Sequence, residues 1–210
     1  MTDETRWERP DHAGIREQFE DRFRKMHDDG TDTAGEARFI DMLLDRGSTV
    51  LDAGCGTGRL TAELNLRGHL CIGVDKDPKL LKTAKELHGP GHDFVQADLV
   101  QVTGEWLASG GLPRTYDLIA TIGNVMVFLA PGTEIQVLRN FAALLTDGGR
   151  LVTGFATGRD YTIEQFDADA SAAGFRVEHR FGSWQLAAFD DDADWATTVL
   201  RRSYEAGRSR

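Results

Sequence analysis

Three glycines that follow an apolar run carry the most specific chemical signal in the chain. Asp52 and Ala53 end the apolar run, Gly54-Cys55-Gly56-Thr57-Gly58 follows, and a helix-like stretch begins at Leu60. Glycine permits a tight turn and lets a ligand approach the backbone, while the helix N-terminus behind it favours negative charge. The turn therefore predicts a site for a small polar ligand.

The spacing of these glycines argues against two phosphate-binding motifs. A dinucleotide turn of the type Gly-x-Gly-x-x-Gly/Ala needs a third small residue where this chain has Arg59. A Walker loop needs Gly-x-x-x-x-Gly-Lys-Ser/Thr, a string that the sequence lacks. Both phosphate interpretations lose support.

Two acids stand where later strand-like runs end. Asp75 follows the glycines by about twenty residues, and Asp98 comes just after the third apolar run. A carboxylate at the first position can accept both hydroxyls of a ribose, and one at the second can accept from an adenine amino group. Together with the glycine turn, the two acids describe an adenosine site.

The elements that position these residues alternate along the chain. Hydrophobic patterning and turn residues predict strands at residues 49–53, 70–75, 93–96, 116–121, 150–155, 175–181 and 195–202. They predict helices at 11–26, 33–44, 60–66, 78–88, 104–109, 132–145 and 161–173. Alternation of this kind is typical of parallel strands joined by helical crossovers, so the predicted class is α/β.

The first two helices precede the glycine turn. Ile15, Phe19, Phe23 and Met26 recur at spacings of four and three, which predicts one apolar helix face. Thr33 is a candidate cap for the second helix, with Glu36 three residues on.

Five segments together resemble class I S-adenosylmethionine-dependent methyltransferases, over residues 49–155. The glycine turn is similar to the first motif of that family, Gly73-Val74-Asp75 to its ribose-binding acid and Gln96-Ala97-Asp98-Leu99 to its adenine-side motif. Tyr116-Asp117-Leu118-Ile119 looks like its fourth strand, and residues 144–151 like its entry to strand five.

The resemblance implies a Rossmann-like, seven-stranded, mostly parallel sheet with an antiparallel last strand and helices on both faces. It implies one methyltransferase domain over residues 1–210, divided into an N-terminal helical lid (1–46), a cofactor-binding core (47–157) and a C-terminal helix with antiparallel strands (158–210). The cofactor expected is S-adenosylmethionine, with S-adenosylhomocysteine as its product.

The resemblance also implies the cofactor residues. Gly54 and Gly56 would lie against the methionine part, Asp75 would hold the ribose, Asp98 and Leu99 would frame the adenine, and the Gly123-Asn124 turn would flank the sulfonium. The full set is Asp52, Gly54, Cys55, Gly56, Thr57, Gly58, Asp75, Lys76, Asp98, Leu99 and Asn124. For Asp52 two roles stay open, contact with the cofactor or anchoring of the loop, because a charge that ends a buried strand needs a partner.

Several other side chains have both a functional and a purely structural interpretation. Arg59 could face the cofactor carboxylate or lie on a helix surface. His27, Arg22, Arg38 and Glu36 could contact the methyl acceptor or form a solvated helix face, and Trp184, Trp195 and Phe189 could line its pocket or belong to the core or rim. No catalytic residue is required, since a sulfonium donor already carries the activation and a general base is optional.

Composition narrows the acceptor. A net charge of −10 repels nucleic acid and anionic lipid on average, and no apolar run reaches the roughly 18 residues of a membrane span. Cys55 and Cys71 lack zinc-ligand spacing, so no metal site is expected. Residues 120–126 depart from the Asn/Asp-Pro-Pro-Tyr/Phe motif of enzymes that methylate amide or adenine nitrogens.

We therefore expect a cytoplasmic monomer or homodimer that methylates a small molecule, without nucleic-acid or membrane partners. Two alternatives stay open: a protein that binds S-adenosylmethionine without turnover, and a nucleotide-dependent oxidoreductase.

Overall fold

The computed structural model describes residues 4–203, except for the side chains of Asp11, Ala13, Ile15 and Glu17. The predicted apolar contact of Ile15 and both ends of the predicted 1–210 domain lie outside the described residues.

Seven strands form one mixed sheet. They are β1 (Thr49–Ala53), β2 (Leu70–Asp75), β3 (Asp93–Gln96), β4 (Tyr116–Thr121), β5 (Leu145–Ala156), β6 (Phe175–Phe181) and β7 (Trp195–Arg202). Their order is β3-β2-β1-β4-β5-β7-β6; β1 to β5 pair in parallel, and β7 runs antiparallel to both β5 and β6. The predicted fold class is confirmed.

Eight α-helices in the described residues cover the two faces of the sheet or precede it. They are α1 (Ala13–Asp28), α2 (Gly35–Met42), α3 (Arg59–Leu66), α4 (Pro78–His88), α5 (Gly104–Ser109), α6 (Val125–Phe128), α7 (Glu134–Leu144) and α8 (Ile163–Ala172). Short 3₁₀ turns lie at Pro10–His12 and Leu99–Gln101. None of these helices combines the length and apolar composition needed to span a bilayer.

The strands are apolar on both sides because helices cover both sides. Val50 points into a cluster with Ile40 of α2 and Leu60 of α3, whereas its neighbour Leu51 belongs to the cluster that contains Phe141 of α7. All five side chains are almost completely buried. Packing on both faces holds the strands in place, and it thereby fixes the sheet edge at which their carboxyl ends lie.

Two elements differ from the sequence prediction. β5 begins at Leu145 rather than Arg150, since Leu145 pairs with Tyr116 before a register shift brings Arg150 opposite Leu118. The turn-like residues Asp147, Gly148 and Gly149 therefore lie within the strand. The helix over 125–128 was not predicted, because four residues show no periodicity.

Thr33 does not cap α2. The N-cap is Ala34, which makes no side-chain capping bond. Arg59 explains the difference, because its guanidinium donates to the carbonyl of Thr33 at 3.0 Å and pairs with Glu36, the partner that a capping box would need.

Candidate functional site

A cavity lies at the carboxyl ends of β1, β2 and β4, where open α/β sheets bind ligands. The sheet side of its wall is formed by Gly54, Cys55, Gly56, Thr57, Arg59, Asp75, Lys76, Leu80, Asp98 and Leu99. Ile122 and Gly123 extend this side after β4, and the rest of the lining comes from outside the sheet: Thr5, Trp7, Phe19, Phe23, Val125, Phe128 and Leu129. Eight of the eleven predicted cofactor residues thus share one wall, and Asp52, Gly58 and Asn124 lie outside it.

Packing, as well as access for a ligand, requires glycine in this turn. Gly54 and Gly58 have φ of +83° and +78°, a region that favours glycine. A Cβ on Gly54 would lie 2.5 Å from Cγ2 of Val125, and one on Gly58 2.5 Å from the ring of Phe94. Gly56 has φ of +54°, and a Cβ added there would lie 3.4 Å from the ring of Phe19. The turn therefore holds its shape only with glycine at these positions.

Cys55 sits inside the turn as a buried free thiol. Burial, together with the carboxylates of Asp52 and Asp75, raises its pKa well above the ordinary value. The thiol is consequently protonated and inert at neutral pH.

Asp75 fastens the turn to the end of β2. Its Oδ2 accepts from the backbone N of Gly56 at 2.8 Å, and its Oδ1 accepts from the backbone N of Asp77 at 2.8 Å. Burial raises the pKa of this carboxyl to about 6. A carboxylate has about four acceptor sites, so this side chain, which lines the cavity, retains capacity for hydroxyl donors.

Asp52 lies beneath the turn, completely buried. Its Oδ2 accepts from the backbone N of Thr61 at 3.1 Å and from its Oγ1 at 2.7 Å, while Oδ1 has no hydrogen-bond partner. Burial raises its pKa to about 7. The position supports the loop-anchoring alternative, because the carboxyl ties α3 to β1 from outside the cavity.

Asp98, for which the family resemblance predicts a place beside the adenine, lies next to Lys76. Asp98 is 7% exposed; its Oδ1 accepts from the backbone N of Val100 at 3.1 Å, and its Oδ2 lies 3.1 Å from Nζ of Lys76. Nζ of Lys76 also donates to Oε2 of Glu8 at 2.7 Å. The buried side chain of Leu99 completes this corner.

Asn124 acts as a clamp between strand ends. It has φ of +74°, its backbone N donates to the carbonyl of Gly154 at 3.0 Å, and its Oδ1 accepts from the backbone N of Ala156 at 2.8 Å. Its neighbours Gly123 and Val125 reach the cavity instead. Asn124 thus fixes the turn after β4, and its contact with a cofactor stays a prediction.

Residues 5–8, which we call the strap, cross the mouth of the cavity and were missed by sequence reasoning. Arg6 donates to Glu134 and to the carbonyl of Leu129, both at 2.9 Å, on the side of β4. Nε1 of Trp7 donates to Oδ2 of Asp77 at 3.0 Å, on the side of β2. The only signal in the sequence was a tryptophan in an otherwise polar segment.

The ring of Trp7 belongs to a chain of aromatic side chains on the strap side. Its centroid lies 5.7 Å from Phe19 and 5.2 Å from Phe128, both edge-on, and Phe19 lies 4.7 Å from Phe23. Edge-on and tilted contacts of this kind stabilise aromatic pairs. The part of the cavity lining that lies outside the sheet is therefore largely apolar.

The other residues suspected of touching an acceptor divide into two groups. Arg59 lies in the cavity wall, where it pairs with both oxygens of Glu36 and stands 5.2 Å above the ring of Phe23. The rest lie outside the wall: Arg38 pairs with Asp32, His27 meets His88 edge-on, Arg22 stands beside Phe23, Trp184 packs on Phe39, Trp195 donates to Thr197, and Phe189 lies under Arg180.

The fold and the cavity define the class first. A protein that combines a sheet of this order with a glycine turn after β1 and acids at the ends of β2 and β3 belongs to the nucleoside-binding α/β proteins. Within residues 4–203, no group of three or more His, Cys, Asp or Glu side chains is arranged to hold a metal ion.

Comparison with known proteins then gives the family. A methyltransferase-domain family model matches residues 50–149. The crystal structure of a TehB-like SAM-dependent methyltransferase from Corynebacterium glutamicum is 34% identical, with a TM-score of 0.79, and the match covers 90% of this chain and 99% of that one. The chain belongs to the class I S-adenosylmethionine-dependent methyltransferases.

Two curated relatives match over shorter stretches. An uncharacterized methyltransferase of Geobacillus thermodenitrificans is 28% identical over 149 residues, which are 70% of this chain and 64% of the relative. A ubiquinone biosynthesis O-methyltransferase of Nitrosomonas europaea is 35% identical over 102 residues, 48% of this chain and 40% of the relative. The chain thus spans less than two thirds of both relatives.

The cofactor of this family, S-adenosylmethionine, fits the residues present. Asp75 and Asp98 offer carboxylate oxygens to hydroxyl and amino donors, Leu80 and Leu99 offer apolar surface, and the glycine turn leaves backbone accessible beside them.

Proposed function

We propose that the chain transfers the methyl group of S-adenosylmethionine to a small-molecule acceptor with an apolar body. The observation that carries this proposal is that one cavity is lined both by the cofactor acids and by four aromatic side chains, Trp7, Phe19, Phe23 and Phe128. The strap crosses the mouth between them, which favours a small acceptor over a polymer.

The bound cofactor supplies an already activated methyl group, so the protein's work is to align the acceptor and exclude water. Asp75 and Asp98 hold the nucleoside, and the turn fixed by Asn124 supports the wall at Ile122 and Gly123. The aromatic wall takes the apolar body of the acceptor and keeps water out.

No side chain of the described cavity wall is placed as a general base. Asp75 is engaged by Gly56 and Asp77, Asp98 by Val100 and Lys76, and the Cys55 thiol is inert. We infer that the acceptor presents an atom that attacks without deprotonation by the protein.

The first test is calorimetric titration with S-adenosylmethionine, S-adenosylhomocysteine and NADH. We expect micromolar binding of both sulfur nucleosides and about 50-fold weaker binding by Asp75→Ala, because lost charge-assisted hydrogen bonds cost roughly 2 kcal/mol. Asp93→Ala is the matched control, since Asp93 is an exposed aspartate at the opposite end of the neighbouring strand β3. Binding of NADH alone would refute the proposal and support an oxidoreductase.

Turnover is tested separately, by release of S-adenosylhomocysteine with panels of small apolar acceptors, peptides and nucleic acids. Turnover with small acceptors alone supports the proposal. Turnover only with a polymer would refute the acceptor class, and tight cofactor binding without turnover on any panel would favour a binding protein.

A further inference from the structure

Three consecutive residues at the end of β2 face two different parts of the site. Asp75 holds the glycine turn and lines the cavity. Lys76 and Asp77 instead hold the strap, through Glu8 and Trp7 respectively. The loop that receives the nucleoside is therefore the same loop that fastens the cover.

Lys76 carries the direct connection between cover and cavity. Its Nζ lies 2.7 Å from Glu8 in the strap and 3.1 Å from Asp98 in the adenine wall, and its side chain is 26% exposed. The two carboxylates therefore lie at most about 6 Å apart, a distance at which like charges near a protein surface repel appreciably. The ammonium group of Lys76 attracts both carboxylates and so offsets their repulsion.

The strap is anchored independently on the other side of the mouth. Arg6 and Glu134 form a nearly buried ion pair at 2.9 Å, and the backbone N of Trp7 donates to the carbonyl of Phe128. Loss of the Lys76 contact would consequently leave the strap held on the β2 side by the hydrogen bond from Trp7 to Asp77 alone, while the Arg6 end stays attached. A cover hinged in this way can open without unfolding.

We propose that Lys76 is a positioning residue that couples closure of the strap to occupancy of the nucleoside side, by holding Glu8 and Asp98 on one ammonium group. The proposal rests on the proposed use of this cavity for the cofactor. Lys76 then acts on the cofactor through Glu8, whereas direct contact with the cofactor was the role expected from the family resemblance. A bound nucleoside that holds Asp98 and Asp75 in place also holds the anchor of the strap.

The first experiment uses hydrogen exchange of the peptide that contains residues 5–8, in full-length protein with and without S-adenosylhomocysteine. The backbone N of Thr5 donates to Oε2 of Glu8, the same oxygen that Lys76 holds, so exchange of this amide reports whether Lys76 fixes Glu8. We expect the ligand to slow exchange in the wild type and in Lys82→Met, a lysine of α4 that is 79% exposed. In Lys76→Met, exchange is faster even without ligand and the slowing is lost, whereas Lys76→Arg retains most of it.

The second experiment is a double-mutant cycle with Glu8→Gln. If Lys76 acts through the strap, Lys76→Met weakens S-adenosylhomocysteine binding about tenfold in the wild type and less than twofold in the Glu8→Gln background. An equal loss in both backgrounds would show that Lys76 acts independently of the strap and would overturn the proposal. Unchanged exchange of the strap in ligand-free Lys76→Met would overturn it also.

These outcomes are distinct from failure of the proposed function. If the wild type binds no sulfur nucleoside, the function proposed for the cavity fails. The exchange of the strap in ligand-free Lys76→Met and Lys82→Met still decides whether Lys76 holds the cover.

Discussion

The two sides of the cavity are held together in different ways. On the sheet side, the bonds that shape the site join residues close in the chain: Asp75 to Gly56 across 19 positions, and Asp52 to Thr61 across 9. On the strap side, Arg6 reaches Glu134 across 128 positions and Glu8 reaches Lys76 across 68. The pair of Glu8 with Lys76 is partly exposed, whereas the pair of Arg6 with Glu134 is nearly buried.

This difference separates stability from access. The sheet side is part of the core, so a change there should alter global unfolding. The strap is held by ion pairs, which contribute little where they are exposed, so a change there should alter binding and local opening while the fold persists.

The largest effect should come from the glycine turn. Gly58→Ala places a Cβ against Phe94 in a strained backbone region, and we expect a loss of about 3 kcal/mol in the free energy of unfolding by urea. Gly68→Ala is the matched control, because Gly68 has φ of +87° with no atom within 4 Å of the added Cβ, so only the strain of about 1 kcal/mol remains. Equal losses would show that packing on Phe94 contributes nothing.

Asp52 should make the sheet side sensitive to pH. Its pKa in the folded chain, about 7, exceeds its ordinary value of 3.8, so the folded state binds the proton more tightly than the unfolded state does. The resulting stability is complete below about pH 4 and is lost as the pH rises through about 7; Asp75, at about 6, acts in the same direction.

We expect Asp52→Asn to flatten this fall between about pH 4.5 and 7.5 by about 2 kcal/mol, measured by urea unfolding across the range. Glu8 and Asp41 have lowered pKa values, so their contributions change at more acidic pH. If the free energy of unfolding of the variant falls with pH as steeply as that of the wild type, the raised pKa of Asp52 is contradicted.

A smaller effect should follow from Arg6→Met. The change leaves Glu134 without its partner, but opening of the strap lets that carboxylate regain water, so we expect less than about 1 kcal/mol in global unfolding. Binding of S-adenosylhomocysteine should weaken about fivefold, measured by titration. Arg46→Met is the control, because it removes an ion pair with Asp41 in which the arginine is mostly exposed. A large loss of unfolding free energy in Arg6→Met, with unchanged binding, would contradict the distinction between the sheet side and the strap side.

The smallest effect should be that of salt. Raising NaCl from about 0.05 M to about 0.5 M screens the pair of Lys76 with Glu8, so exchange of the strap should rise about twofold. Exchange in β1 and β4 is the internal reference and should stay constant.

The sequence predicts the sheet side well for a physical reason. β2 and β4 are apolar runs ended by polar or glycine residues, and their bounds follow from short stretches of sequence. The acids and glycines of the site stand at the ends of those runs, so their convergence follows from the parallel arrangement alone.

The strap could not be predicted in this way. Its four residues have no periodicity, and their partners lie 68 to 128 positions away. Arg59 shows the same limit: its place in the wall and its pairing with Glu36 depend on how α2 packs on α3, which no local pattern contains.

The two buried thiols provide unmodified reporters of the sheet side. Cys55 is 8% exposed within the glycine turn, and Cys71 is 1% exposed within β2. An alkylating reagent needs an accessible thiolate, so Cys55 should be labelled when the turn lifts from the strands, and Cys71 only when β2 itself separates. The ratio of the two labelling rates would therefore compare local opening of the turn with unfolding of the sheet, in the native sequence.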